Sequence, residues 1–565
     1  MTSSITGQLK RRKRVAFRSI LSPSDKRILG LFTLLMSLAM VSVLLLVISS
    51  TTFTLSILAV FIVALIVIIE LVRFVQGMTL VVFAMMAKDP LPMKSTGTLR
   101  IAVLTTIVPG KEPLDLVSET LRAMKQINPG KGNSMDVWLL DEGNDPAVRR
   151  RCRELGVKHF SRKGIAHWNT ESGVHKAKTK HGNHNAWRSK HENKYEVVAQ
   201  MDPDHIPRPD FLKRTLGYFN DQQVAFVVAP QVYGNIKDSW IARGSAFQAY
   251  IFHGIIQRGG NGLDAPLLIG TNHLYRTSAF KQINGYQDCI IEDHLTSMVI
   301  YGSKNADGQP FKGVYTPDIL AVGEGPTSFT DYFNQQKRWA YGIWEILFTA
   351  TPTVIKSMKK RQAASFLMLQ FFYPSIAVSW LASAAVTFAV GFSPLDLGGA
   401  ESLLTFVWCV SLVSGVTFFL WLRKFNVVEH ERKDWGVQGM GLLLMCIPVY
   451  VSAAFQALLR RPLTYAVTAK GSLTSPDTID TFSPHINWAA FGILTTVIIV
   501  FFGPALDVGN MAWNFERIVV CLSPLVIFGI SRVSIKKTKL RTKSLYTLLS
   551  GRYSPSATPS APTVE

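Results

Sequence analysis

Cysteine and charge are both scarce in this sequence. Five cysteines in 565 residues (Cys152, Cys289, Cys409, Cys446, Cys521) stand far apart with no C-x-x-C pair. That spacing argues against a disulfide framework and a structural zinc site, and it points to a reducing compartment for the soluble part. Charged residues are only 17%, and acids are the scarcer kind: 38 Asp+Glu against 60 Lys+Arg, a net charge of +22. Hydrophobic residues reach 48% and the mean hydropathy is +0.20, which excludes a disordered or fibrous chain. The length exceeds one ordinary domain. The apolar excess is therefore expected in membrane segments.

Residues 1–28 are strongly basic, and Leu29 to Ser50 then runs without one charge, followed after an uncharged link by Phe53 to Ile69. A signal peptide would have a shorter apolar run and a cleavage site, so residues 29–76 predict an uncleaved pair of transmembrane helices. The basic N-terminus belongs in the cytoplasm, and two crossings return the chain there at Arg73. Residues 90–330 have the composition of a soluble α/β domain. Its short apolar runs (Ile101 to Val108, Val137 to Leu140, Val197 to Met201, Val224 to Ala229) predict buried parallel strands. Residues 331–363 predict interfacial helices, and residues 364–535 a second membrane region.

That region holds Ser365 to Phe392, Leu403 to Leu422, Gly439 to Leu459, Trp488 to Leu506 and Ile518 to Ile530. If all five span, the basic run from Lys536 to Lys543 falls outside, against the positive-inside rule. Gly439 to Leu459 contains Pro448 and lies between the basic link Arg423 to Lys433 and the pair Arg460–Arg461, so it is expected to lie in or re-enter the inner interface. The result is six spans with both termini inside, and 536–565 is expected to form a basic, then disordered, cytoplasmic tail.

Chemistry concentrates where predicted strands end. Asp202-Pro203-Asp204 follows Val197 to Met201, and two carboxylates at i and i+2 on a sheet edge can hold a hard divalent cation; the same pair also suits a solvated turn before a helix. Asp141-Glu142-Gly143 ends another strand, Glu292-Asp293 precedes an apolar helical pattern, and Gln335-Gln336-Lys337-Arg338-Trp339 follows. The order D…DxD…ED…QxxRW resembles the processive family 2 glycosyltransferases, the group of cellulose, chitin and hyaluronan synthases. Tyr465-Ala466-Val467-Thr468-Ala469-Lys470 is similar to the F-x-V-T-x-K gating loop of cellulose synthases, within a cytoplasmic connection at 461–487. A basic loop on lipid head groups is the other reading of that stretch.

The resemblance implies an α/β GT-A domain with a Rossmann-like mixed sheet, inserted in an α-helical multi-span membrane protein. It further implies inverting transfer from a UDP-sugar, most simply UDP-glucose, to a growing β-glycan secreted through the adjoining helices across the cell membrane. Asp202 and Asp204 would hold Mg²⁺ or Mn²⁺; Asp141, Glu112, Lys180 and Asn183 would line the nucleotide and substrate; Asp293 would be the general base with Glu292 beside it. Gln335, Arg338, Trp339, Tyr465, Thr468 and Lys470 would complete the site. The bland counterparts are an N-cap for Asp293, a solvated lysine loop at Lys180 and an interfacial role for Trp339. A lipid-acceptor transferase of the ceramide glucosyltransferase kind and a synthase using UDP-GlcNAc are the alternatives within the class; a transporter or scaffold that has lost catalysis lies outside it. The bilayer is an expected partner, nucleic acid is not, and the resemblance leaves room for accessory export subunits or a homo-oligomer.

Overall fold

The computed structural model describes residues 14–50, 57–393, 401–463, 475–504 and 507–534. Tyr465, Thr468 and Lys470 lie outside the described residues, as does the tail. All five cysteines are unpaired.

The chain opens with strand β1 (Phe17–Ser19) and two long apolar helices, α1 (Pro23–Ser50) and α2 (Ile57–Met86). Strand β2 (Lys88–Pro90) pairs antiparallel with β1, Phe17 opposite Pro90, so the chain before α1 and after α2 meets on one side. The hairpin thus returns to its starting side.

The domain that follows is built on a seven-stranded sheet. Its strands are β3 (Arg100–Ile107), β4 (Ser134–Asp141), β5 (Lys158–Phe160), β6 (Val197–Gln200), β8 (Val224–Val228), β9 (His273–Arg276) and β10 (Lys312–Tyr315), in the order β10-β8-β9-β6-β3-β4-β5. A short β7 (Ile206–Pro207) pairs separately with β11 (Ala321–Val322). The four expected strands are present, with β3 and β8 almost wholly buried because helices cover both faces. Alternate residues feed two cores: Ala102, Leu104, Val198 and Tyr275 on one face, Ile101, Val103, Val197 and Leu274 on the other. The sheet is mixed, as expected: the four strands read from the sequence run in one direction, and β9 runs antiparallel to both β6 and β8.

That reversal positions the site. In β6, Gln200 is opposite both Leu104 of β3 and His273 of β9, so β6 stops while β3 continues to Ile107. Because β9 is reversed, the loop leading into it, not the one leaving it, meets the carboxyl end of β6. Gly270 and Thr271 are thereby brought against Asp202, whose N–H donates to Thr271 Oγ1 at 2.9 Å.

Seven helices among the described residues are long and apolar enough to cross a membrane. The apolar run expected from Ser365 divides at Phe371 into α9 (Lys360–Gln370) and α10 (Phe372–Val390), the first tied to the domain by Gln362 Nε2 donating to Asp264 O at 2.8 Å. Its basic start and buried Gln362 and Gln370 suit a docked surface helix. Helix α11 (Glu401–Leu422) returns to the domain, where Arg258 donates to Phe425 O at 2.8 Å. The Gly439 to Leu459 segment is two helices, α12 (Val437–Met445) and α13 (Ile447–Leu458), broken at Cys446 where Pro448 withdraws a backbone donor. Both flanks of this pair touch the soluble domain or its helices. Asp434 pairs with Arg243 at 2.7 Å before it, and Ser475 and Asp477 after it bond the first turn of α8 (Phe329–Thr349). Helices α14 (Ser483–Phe502) and α15 (Val508–Ser534) close the bundle. An α/β domain on a mixed sheet, set between apolar helices, is the architecture observed.

Candidate active site

Asp202 leaves β6 half-exposed while Asp204 is fully buried. Asp204 Oδ1 lies 3.2 Å from His205 Nδ1, and Oδ2 accepts the Glu324 N–H at 3.2 Å. Ligating atoms of Asp202, Asp204 and His205 all fall within 4.8 Å of one another. Hard carboxylate oxygens with one imidazole suit Mg²⁺ or Mn²⁺, and the buried His205 Nε2 has no hydrogen-bond partner among the described residues. The cluster fits a divalent cation.

Lys180 opens helix α5 (Lys180–His191), which Thr179 caps by accepting the Gly182 N–H at 3.1 Å. Its ammonium is ion-paired with Asp202 and donates to Gly270 O at 2.6 Å. Gly270 also touches the acid pair, since its N–H is a donor to Asp293. One residue's peptide groups thus join the Asp202 side of the site to the Asp293 side.

Glu292 and Asp293 sit in the first turn of α7 (Glu292–Tyr301). Asp293 is not the N-cap, a position held by Ile291. Asp293 Oδ1 accepts the His294 N–H at 2.8 Å. Burial, and then the neighbouring Glu292 carboxylate, push the Asp293 carboxyl up to about 7; burial also raises Glu292, against the charges of Lys180 and Arg338. The pair titrates as a unit. Behind it lies a cavity of about 10 Å³, room for one water, lined by Lys180, His184, Gln200, His273, Glu292 and Asp293 among others.

Helix α8 brings the Gln335–Trp339 motif to this corner. Gly342 packs on Ile290 and Ile291, so closely that a Cβ there would meet Ile291 at 2.7 Å. The side chain of Trp339 rests on the same core cluster as Ile291, while Gln336, one residue after Gln335, accepts from Tyr450 Oη at 2.8 Å.

Other expected site residues serve loops in this structure. Asp141 is fully buried at the end of β4, where Oδ1 accepts the Gly143 N–H at 2.8 Å and Oδ2 accepts the Asp145 N–H at 2.7 Å beside His159 Nε2 at 3.0 Å. Glu112 Oε2 accepts the Val108 N–H at 2.8 Å. Asn183 donates to Leu140 O at 3.5 Å at the same strand end. Sequence reasoning missed Arg162, which is fully buried, pairs with Glu142 at 2.7 Å and donates to the carbonyls of Trp168, Lys176 and Thr179, fixing the loop that leads to Lys180. It also missed His205 as a ligand, although that residue directly follows the Asp-x-Asp.

Residues 197–422 match the family described as Glycosyl transferase family group 2. The chain thus carries a family 2 glycosyltransferase domain. Within that class it resembles the processive synthases: it is 26% identical over 294 residues to a cellulose synthase catalytic subunit [UDP-forming] of Xanthomonas axonopodis pv. citri, covering 51% of this chain and 38% of that protein. It is 22% identical over 430 residues to the cellulose synthase 1 catalytic subunit [UDP-forming] of Komagataeibacter xylinus, covering 72% and 53%. It is 28% identical over 227 residues to a probable glucomannan 4-beta-mannosyltransferase 3 of Oryza sativa subsp. japonica, covering 38% and 39%. The chain spans between about a third and about a half of the length of these relatives. With its seven apolar helices, it is a multi-pass membrane protein.

Proposed function

We propose that this chain is an inverting membrane glycosyltransferase that polymerises a UDP-sugar, most simply UDP-glucose, into a β-linked polysaccharide and passes it through its own helices. The observation that carries this reading is the convergence, around Gly270, of the Asp202 cluster, Lys180 and the buried Glu292–Asp293 pair, with the Gln335–Trp339 helix packed on the adjoining Ile290–Ile291. A scaffold that had lost catalysis would have no use for two buried acids beside a lysine.

Asp202 and Asp204, with His205, would hold Mg²⁺ or Mn²⁺, which when bound neutralises charge on the leaving diphosphate. Asp293 takes the acceptor hydroxyl proton as that oxygen attacks the anomeric carbon and the bond to the diphosphate breaks, which inverts the centre. A carboxyl held near neutral pH is matched to that work. Arg338 offers a planar donor to the diphosphate, and Trp339 an aromatic face to the acceptor sugar. Asp141, Glu112 and Asn183 shape the nucleotide side by fixing its loops, and Tyr465, Thr468 and Lys470 would complete the site.

Washed membranes supplied separately with radiolabelled UDP-glucose, UDP-GlcNAc or UDP-glucuronate test this. The expected product is polymer from UDP-glucose that a β-specific glucanase degrades. Polymer from UDP-GlcNAc would change the donor, label in solvent-extractable lipid would change the acceptor class, and no incorporation from any donor would end the reading.

For topology we take α12–α13 as interfacial, leaving six crossings with the domain and both termini in the cytoplasm of a cell-membrane enzyme. Three observations support it: the β1–β2 pairing, the Arg243–Asp434 pair before α12, and the Ser475 and Asp477 bonds to α8 after α13. The outward residues Val437, Leu444, Phe455 and Leu458 form an apolar stripe suited to lipid, opposite a face packed on Tyr332 and Tyr341. Cysteine at Ser475 or Pro476 is expected to resist an impermeant thiol reagent in intact cells and to react after permeabilisation. Ready labelling in intact cells would make α12–α13 a span.

A further inference from the structure

The cation paired with Asp202 in this structure is the chain's own. Lys180 is ion-paired with the half-exposed carboxylate of the metal cluster and also donates to the Gly270 carbonyl at 2.6 Å. A divalent ion held by Asp202 competes with Lys180 for this carboxylate, because an ammonium next to that ion is repelled by it. Each cation weakens the other's hold.

We propose that Lys180 is a resident counter-ion which the metal must displace, and that the displaced ammonium transfers to the diphosphate arriving with the metal. This rests on the metal assignment made above. It predicts that the ion binds poorly alone and well with the nucleotide, because the phosphates give the displaced ammonium an anion in place of Asp202.

The geometry suits such an exchange. The Lys180 backbone is fixed as the first residue of a capped helix, so only its four-carbon stem must move. Its side chain is 19% exposed, on the open side of the cluster, whereas Asp204 is fully buried and held by His205 and the Glu324 N–H. Asp202 is the adjustable ligand. The same ammonium favours the ionised forms of Glu292 and Asp293. Its departure from Asp202 is therefore felt at the acid pair, and through Gly270 O it is already connected to the loop that donates to Asp293.

The test is Mn²⁺ binding to the purified full chain in detergent, followed by electron paramagnetic resonance without any sugar donor, so that no turnover enters the readout. Lys180→Met is expected to bind Mn²⁺ alone at least about fivefold more tightly than the parent, since a competing unit charge is gone. In the presence of UDP, the same variant is expected to bind the Mn²⁺–UDP pair at least about fivefold more weakly, since the phosphate loses a cation. Opposite signs are the signature, because general damage to the site would weaken both. Lys180→Arg, which keeps the charge, should stay within about twofold of the parent for Mn²⁺ alone. Unchanged or weaker Mn²⁺ binding by Lys180→Met, with parental UDP-dependent binding intact, overturns the exchange and leaves the metal site standing. Absence of Mn²⁺ binding in every protein, with and without UDP, overturns the metal site and the exchange together.

Discussion

Asp293→Asn is expected to lower kcat by on the order of 10²-fold or more while leaving UDP affinity within about twofold. The amide keeps the shape of the side chain and its contact with the His294 N–H, and loses only the ability to accept the proton. In the parent enzyme kcat/KM should rise with pH along a limb set by the acid pair, whose proton is held to about 7, and that limb should vanish in the variant. A stability signature accompanies it. Burial raises this carboxyl above its ordinary value of 3.8, so the folded state keeps a proton that the unfolded chain has already lost. Stability from this group is complete below about pH 4 and lost as pH rises through about 7. Asp293→Asn should therefore melt higher than the parent at pH 8 and no higher at pH 4. Near-normal turnover in the variant, or a loss explained by UDP affinity alone, would move the base role to Glu292.

Chelation should be at least as severe. Excess EDTA is expected to abolish turnover and added Mg²⁺ or Mn²⁺ to restore it, because without the ion the diphosphate leaves against the carboxylates of Asp202 and Asp204. Asp202→Asn should reproduce the loss and resist rescue by metal. It is a cleaner probe than Asp204, whose oxygens also hold His205 and the Glu324 N–H, so that its removal disturbs the fold as well. Full activity in excess EDTA would remove the metal from the scheme.

The strands that were legible share one feature: β3, β4, β6 and β8 are unbroken apolar runs ending at a turn or acid, the signature of burial on both faces. Strands β5, β9 and β10 read Lys-His-Phe, His-Leu-Tyr-Arg and Lys-Gly-Val-Tyr, three or four residues with charge or glycine among them, too short for a period to register. Missing β9 hid the reversal that carries Gly270 and Thr271 to Asp202, and with it the reason why Asp202 and Thr271, 69 positions apart in sequence, share a site. Asp202, Asp204 and the Glu292–Asp293 pair were legible because strand ends and helix starts are where chemistry gathers. Asp141 looked the same in sequence as Asp202. What separates them is three-dimensional: the oxygens of Asp141 accept N–H groups of the turn that follows it, whereas Asp202 meets a lysine and a loop from elsewhere in the chain.

The pairing of Phe17–Ser19 with Lys88–Pro90 has a consequence for how the protein is made. Synthesis runs at about 5–20 residues per second, so β1 waits several seconds for its partner, with both apolar helices made in between. The two strands can meet only after that hairpin has entered the bilayer and come back. Val15, just upstream, donates its N–H to Asp221 at 3.3 Å and waits longer still, until the chain has been made as far as the start of β8 and the sheet is under way. Strand β1 and the residues beside it are thus among the last to dock, and their docking completes the domain only when membrane insertion has brought both ends of the hairpin to the same face.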